Sequence, residues 1–316
     1  MIGADSLESA PPRPFGATAR RLLPRHGSGR ISVFDSAHSS EDPMSRPAPG
    51  SRTRASTRKR LSQNFLTDPR IARRIVRASG IGRDDLVLEI GPGDGMLTRH
   101  LLPAAARVVA YEKDPHYARR LAVRYGGEHR LQVRNQDFRT VVAPREPFAV
   151  VANIPFAVST DIVRWCLAAP RLTSATLLTQ YEFARKHSGD YGRWTKLTVT
   201  HWPESEPTLG ERIDRREFFP VPRVDGAVLH IARRPTPLLP AASGAQYRRL
   251  VELGFSGVGG SLAASLRRIH PARAVAAACA EAAIPTDAPV GLVPPDAWLT
   301  LYRRLYETRG PGGARR

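Results

Sequence analysis

Four short apolar runs, separated by helix signals, constrain this chain more than any other feature. They are Leu86-Val87-Leu88-Glu89-Ile90, Val108-Val109-Ala110-Tyr111, Leu131-Gln132-Val133 and Phe148-Ala149-Val150-Val151. Runs this short and this apolar read as strands buried on both faces, and their alternation with helices predicts a mostly parallel sheet covered on both sides. The pattern opens at Asp68-Pro69, an N-cap followed by proline at the first helical position, with Ile71, Ile75 and Val76 on one apolar face. Thr176-Leu177-Leu178 and Leu197-Thr198-Val199 read as further strands, and Ala227-Val228-Leu229-His230-Ile231 closes the series. Pro235, Pro237 and Pro240 then make a linker, beyond which the chain reads as helices with no strand. The last helix starts near Pro295 and carries Trp298, Leu301, Tyr302 and Leu305 at helical spacing, which marks them as core. The expected organisation is an α/β, Rossmann-like catalytic domain over residues 58–235 and a small helical domain over 236–310. Disordered segments are expected over 1–57 and 311–316.

The N-terminal stretch is rich in Pro, Ser, Gly and Arg and sustains no apolar period. Residues 19–34 are Arg-rich and faintly resemble a transit peptide, but Asp5, Glu8, Asp35, Glu41 and Asp42 weigh against that. A start at Met44 is an alternative reading. Arg52, Arg54, Arg58, Lys59 and Arg60 form either a solvated tail or an arm that tracks phosphates. With a formal net charge of +19 over 316 residues, the chain is suited to a polyanion, most commonly nucleic acid. Biased residue usage is the competing explanation. No apolar run approaches a membrane span. Cys166 and Cys279 lie far apart and show no metal-ligand spacing, so they read as core residues of a cytoplasmic protein without a metal.

The first strand ends in Gly91-Pro92-Gly93-Asp94-Gly95. Glycines there let the backbone turn and approach a ligand closely. The spacing is G-x-G-x-G with an acid two residues before it, whereas a dinucleotide fingerprint wants G-x-G-x-x-G, so NAD fits less well. Glu112 ends the second strand, where a carboxylate can accept from both hydroxyls of a ribose. Asp137 follows the third and can accept from an adenine amine. The ordered set, at three successive strand ends, points to S-adenosylmethionine.

The fourth strand ends in Asn153-Ile154-Pro155-Phe156. The N6 amine of adenine is a poor nucleophile because its lone pair is delocalised into the ring. Two acceptors aimed at its hydrogens favour a more tetrahedral nitrogen: the Asn153 side-chain oxygen and the Ile154 carbonyl. Pro155 stiffens the turn through its fixed φ, and Phe156 offers a face for a base taken out of its stack. A general base of perturbed pKa is not required, because the sulfonium charge is neutralised as its methyl leaves. Catalysis then rests on proximity and preorganisation.

These residues resemble the rRNA adenine N6-methyltransferase family, which contains the Erm resistance enzymes and the KsgA-type dimethyltransferases. The resemblance spans about residues 58–306 and implies a Rossmann-like S-adenosylmethionine-dependent methyltransferase domain with a small C-terminal helical domain. Ser62-Gln63-Asn64-Phe65-Leu66 is similar to the family's opening segment, which implies that Asn64 and Leu66 contact the cofactor. Gly91, Glu112, Asp137 and Asn153 match its cofactor and substrate positions. Phe218-Phe219-Pro220-Val221-Pro222-Arg223-Val224-Asp225 resembles its F-x-P-x-P-K-V-D stretch, which implies that Phe218 faces Phe156 across the adenine. N-I-P-F followed by Ser159-Thr160 favours the Erm branch. So do Phe255-Ser256-Gly257-Val258-Gly259-Gly260, in place of a basic run, and Ser188-Gly189-Asp190-Tyr191-Gly192-Arg193-Trp194. Phe156 departs from the tyrosine of many relatives, so no phenol oxygen is available there. The implied activity is methylation of one adenine of 23S rRNA by a monomer, giving macrolide, lincosamide and streptogramin B resistance. A KsgA-like small-subunit enzyme and a non-catalytic nucleic-acid-binding factor on the same fold are the alternatives.

Overall fold

The computed structural model of the protein describes residues 64–258 and 260–307. The expectations placed on residues 1–57, on the basic run 52–60, on Ser62, Gln63 and Gly259 and on the 311–316 tail lie outside the described residues.

Asp68 starts the first helix. Its side chain accepts a hydrogen bond from the Arg70 backbone N–H at 2.7 Å, and Pro69 takes the first helical position. Helix α1 (Pro69–Ala78) then buries Ile71, Ala72, Ile75 and Val76 against the sheet. Five strands alternate with helices in the parallel part: β2 (Leu86–Ile90), β3 (Arg107–Glu112), β4 (Leu131–Asn135), β5 (Phe148–Asn153) and β6 (Leu172–Gln180). Between them lie α2 (Thr98–Leu101), α3 (Pro115–Arg124) and α4 (Ser159–Ala168). The chain continues with α5 (Tyr181–Ser188), α6 (Lys196–His201), β7 (Ser205–Ile213) and β9 (Gly226–Arg233). The sheet has seven strands in the order β4-β3-β2-β5-β6-β9-β7. Strand β9 is antiparallel to both β6 and β7. All residues of β2 are buried, as a strand covered on both faces requires. The fold is the α/β, Rossmann-like one that the strand pattern predicts.

The segment Leu197-Thr198-Val199 is a correction. It belongs to helix α6, not to a strand. The Thr195 hydroxyl caps that helix by accepting from the Thr198 N–H at 3.0 Å, and Val199 turns into the core of the C-terminal helices. A run of three apolar or β-branched residues cannot separate the two conformations by periodicity. The strand actually present, β7, is mostly solvent-facing, contains Pro207 and Gly210, and among the described residues pairs only with β9. Edge strands carry little apolar alternation, so its pattern was not legible.

Outside the sheet, β1 (Phe65–Leu66) and β8 (Phe218–Phe219) form an antiparallel two-stranded ribbon, with Phe65 opposite Phe219 and Leu66 opposite Phe218. After the proline linker come α7 (Gly244–Gly254), α8 (Leu262–Leu266), α9 (Ala272–Glu281) and α10 (Pro295–Tyr302). Their core centres on Trp298, Leu301, Tyr302 and Leu305, all buried. Trp298 stacks on Phe255 with centroids 5.5 Å apart, and Gly254 leaves room for its ring. The helices join the α/β body where the Tyr247 hydroxyl donates to the Val199 carbonyl and the Trp202 indole to Asp296.

Truncating Trp298, which is 0% exposed, removes the largest side chain of the helical core. Trp298→Ala is expected to cost about 3–5 kcal/mol, read as a lower urea midpoint. A loss within the error of the wild-type curve would contradict this packing.

Candidate active site

Strand order reverses between β2 and its neighbours β3 and β5, so a crevice opens at their carboxyl ends. The loop leaving β2 fills the floor of that crevice. Gly91 has φ +63°, a left-handed conformation that suits glycine, and nothing lies within 4 Å of where a Cβ would stand. Gly93 has φ +53°, but there a Cβ would lie 2.5 Å from the Phe65 ring. The second glycine is therefore a socket for an aromatic side chain from β1. Glu112, at the end of β3, is fully buried and braces the loop. Its Oε2 accepts from the Gly93 N–H at 3.1 Å and its Oε1 from the Asp114 N–H at 2.9 Å. From the outer side, Arg120 pairs with Asp94 at 3.0 Å and Arg124 donates to the Asp94 carbonyl at 2.8 Å.

A cleft of about 480 Å³ opens beside this loop. Ile90, Tyr111, Phe138, Pro155, Val158 and Ile162 supply apolar walls, while Glu112, Gln136 and Asp137 supply polar groups. That size and mixture suit a nucleoside-sized ligand. Asp137 caps a single helical turn, Phe138–Thr140, and its carboxylate also holds Arg139 at 2.7 Å and Lys113 at 2.9 Å. The Arg139 hydrogen bond first, and then that from Lys113, keeps its pKa well below the usual carboxylate range. It is thus an ionised acceptor shared between two cations.

Asn153 ends β5, where its register partner on β6 is Leu178. Its Nδ2 donates to the Asn64 backbone carbonyl at 2.8 Å. The flipped amide would set two acceptor oxygens against each other, so this bond fixes Oδ1 on the opposite side. Ile154 is 2% exposed and its N–H donates to the Leu178 carbonyl, while Pro155 has φ −60° and lines the cleft. Phe156 is half-buried at the start of the turn Phe156–Val158. Gly91, Glu112, Asp137 and Pro155 thus line one cleft, with Asn153 two residues before Pro155. Leu66 is in the core, so its side chain is spent on packing and only its backbone is left for a ligand.

Phe218 requires a correction. It is 1% exposed and packs in the core with Leu178 and Val228, so close to Gly226 that a Cβ there would lie 2.9 Å from the ring. It presents no open face for a base in this arrangement. Its neighbour Phe219 is 66% exposed. Successive residues of a strand point to opposite sides, and two adjacent phenylalanines do not reveal which is which.

The sequence matches the ribosomal RNA adenine dimethylase family over residues 54–307, which is most of the chain. It belongs to that family. An rRNA adenine N-6-methyltransferase of Aeromicrobium erythreum is 49% identical over 271 residues, covering 85% of this chain and 79% of its own. The crystal structure of the 23S rRNA methyltransferase ErmE matches with a TM-score of 0.73 at 47% identity, covering 77% of this chain and 99% of that one. A ribosomal RNA small subunit methyltransferase A of Rhodococcus erythropolis is less similar, at 34% over 235 residues, covering 67% of this chain and 79% of its own.

Within this dimethylase-family framework the structure adds residues that sequence reasoning did not assign. Phe65 was part of the opening segment, but the contact that gives it a role is visible only in three dimensions. Arg120 and Arg124 carry no motif. Gly189, by contrast, explains its segment: it caps α5 in the left-handed region at φ 80° and the Trp194 ring packs onto it. Arg185 pairs with Asp190 and lies 3.8 Å over the Tyr191 ring. The acid ahead of the glycine loop, Glu89, is also distinctive. Its Oε2 accepts from the Thr98 hydroxyl at 2.7 Å, and its buried Oε1 has no hydrogen-bond partner among the described residues.

Burial pushes the Glu89 carboxyl up to about 8, the Thr98 hydrogen bond opposing it only in part. A folded-state pKa above the unfolded value contributes stability that is complete below the ordinary value of 4.5 and lost as pH rises through about 8. Glu89→Gln keeps a partner for Thr98 and removes the titration. The variant is expected to gain on the wild type between pH 5 and pH 9 in urea unfolding of the ligand-free protein. A difference between the two that does not change with pH would contradict the buried neutral acid.

Proposed function

We propose that this protein transfers a methyl group from S-adenosylmethionine to the N6 amine of one adenine of 23S rRNA, and that the modification gives macrolide, lincosamide and streptogramin B resistance. The observation that carries this reading is the fixed Asn153 amide, whose Oδ1 is held as an acceptor at the end of β5 beside a nucleoside-sized cleft. The greater similarity to ErmE, a 23S rRNA methyltransferase, than to the small-subunit enzyme supports the large-subunit substrate.

The residues present fit the cofactor. The cleft joins apolar walls for an adenine to carboxylates for hydroxyl and amine donors, and Glu89, whose buried Oε1 has no hydrogen-bond partner among the described residues, lies two residues before the glycine loop. Asn64, Leu66 (through its backbone), Gly91, Glu112, Asp137 and Asn153 would hold it, and when bound it supplies an electrophilic methyl on a sulfonium. The protein's own work is positional. Asn153 Oδ1 and the Ile154 carbonyl would accept from the amine hydrogens, Pro155 keeps the turn stiff, and Phe156 would receive the ring face of the flipped base. Phe218 could take part only if its ring were uncovered.

The helical residues 236–310 are proposed as an RNA-binding domain beside the catalytic residues 58–235, in a protein that works as a cytoplasmic monomer without a metal. Among the described residues no helix is long and apolar enough to cross a membrane.

Methyl transfer from labelled cofactor is expected on protein-free 23S rRNA and not on small-subunit particles. The reverse preference would select the small-subunit alternative, and no transfer to either would select the non-catalytic one. Calorimetry is expected to show binding of the cofactor or its demethylated product, weakened by Glu112→Ala, whereas tighter binding of NAD would contradict the cofactor assignment. Removing a preorganised polar partner costs about 2.7–4 kcal/mol in comparable sites, and removing a base-stacking ring roughly 1–3 kcal/mol. Asn153→Ala is therefore expected to lower the single-turnover rate with RNA affinity nearly unchanged. Phe156→Ala should be less damaging, and Phe156→Tyr should keep most activity. An Asn153→Ala enzyme with wild-type rate would overturn the site.

A further inference from the structure

We infer that Phe65 is a positioning residue that couples the cofactor loop to the catalytic amide. The inference rests on the methyl-transfer reading of the site. Three contacts and one peptide bond make one continuous path. Asn153 Nδ2 is bonded to the carbonyl of Asn64, and Asn64 is followed directly by Phe65. The Phe65 ring occupies the space that a side chain on Gly93 would need. Gly93 in turn donates its N–H to Glu112 Oε2 at 3.1 Å. The path thus runs from the proposed acceptor of the adenine amine to the carboxylate proposed for the cofactor ribose.

One further side chain packs against the ring, and that side chain and the Phe65 backbone are themselves held. Tyr117, on α3, packs against it with centroids 5.4 Å apart, and the Arg120 guanidinium lies 5.9 Å from the Tyr117 ring on its way to Asp94 of the loop. The backbone of Phe65 pairs with Phe219 in the β1–β8 ribbon. The ribbon is only two residues long on each strand, and so short a pairing is not stable by itself. The ribbon is anchored to the body by the buried Leu66 and Phe218, and the seat of the Phe65 ring against Gly93 is the anchor that ties it to the glycine loop. If the ring is lost, the Asn64 carbonyl, one residue before it, is less firmly placed, and the Asn153 amide is less firmly oriented. Gly93 is also freed to move away from Glu112. Glycine at 93 is then required by Phe65 as well as by its positive φ.

The test combines Phe65→Ala, Phe65→Leu, Gly93→Ala and the double variant Phe65→Ala/Gly93→Ala in the full chain. Phe65→Ala is expected to lower the rate at saturating RNA and cofactor by about ten- to a hundredfold, with the KM for RNA within about twofold of wild type. Backbone hydrogen exchange over residues 64–67 and 93–95 should accelerate, and the side-chain amide signal of Asn153 should move toward that of a solvent-exposed asparagine. Phe65→Leu, which refills part of the socket, should recover part of each effect. Gly93→Ala should be severe alone and should add less to Phe65→Ala than it costs alone, because its new methyl overlaps the ring that the first change removes while the strain of the positive φ at 93 remains. A wild-type rate, exchange pattern and amide signal in Phe65→Ala would overturn the inference, as would losses in the double variant equal to the product of the single losses. If Phe65→Ala does not fold, Phe65→Leu and Gly93→Ala carry the same test. Absence of methyl transfer in the wild type would sink the functional reading, while exchange and the amide signal would still decide whether the path exists.

Discussion

The parallel register of β2 between β3 and β5 is the constraint on which the site depends. Leu88 pairs with Val109 on one side and Val150 on the other, so the three strands end at one edge. A slip of one residue would turn every side chain of the moved strand to the opposite face, and burial of all five residues of β2 makes that costly. From that register follow the positions of the glycine loop, of Glu112 and of Asn153. The site needs no unusual side chain to be assembled, only the ends of strands brought to one level.

Much of this was legible because buried parallel strands advertise themselves. The runs at Leu86, Val108, Leu131 and Phe148 all begin at or within one residue of an observed strand start. The starts of α1 and α10, each with proline in the first helical turn, were equally clear. What was not legible depends on contacts between distant segments. The helix at Lys196–His201 is decided by the Thr195 cap and by burial of Val199 in the C-terminal core. The exposed strand at Ser205–Ile213 is decided by pairing with β9. The opposite burial of Phe218 and Phe219 is decided by the ribbon's orientation. At the site, Asn153 stood out by its motif, but the bond that orients its amide comes from a backbone carbonyl, which no side-chain pattern can announce.

The charge of the chain is organised locally. Asp68, Glu128, Asp137 and Asp214 each accept from the backbone N–H of the residue two further on, and in each case that residue is an arginine whose guanidinium binds the same carboxylate. Exposed pairs of this kind add little stability, but they fix turns and hold arginine side chains in defined places. Enough cations remain beyond such pairs to leave a formal net charge of +19, the electrostatic footprint of a protein that meets nucleic acid. In the proposed function, affinity for the RNA backbone would fall to the excess arginines, and recognition of the target base to the Asn153-Ile154-Pro155-Phe156 turn.

In the proposed reaction this turn presents one adenine amine of the large-subunit RNA to a methyl donor. Mass spectrometry of nucleosides and of mapped fragments from 23S rRNA treated with the enzyme tests this. N6-methylated adenosine is expected at a single position of 23S rRNA. Methyl groups on another base, on another atom of adenine or only in the small-subunit RNA would contradict it.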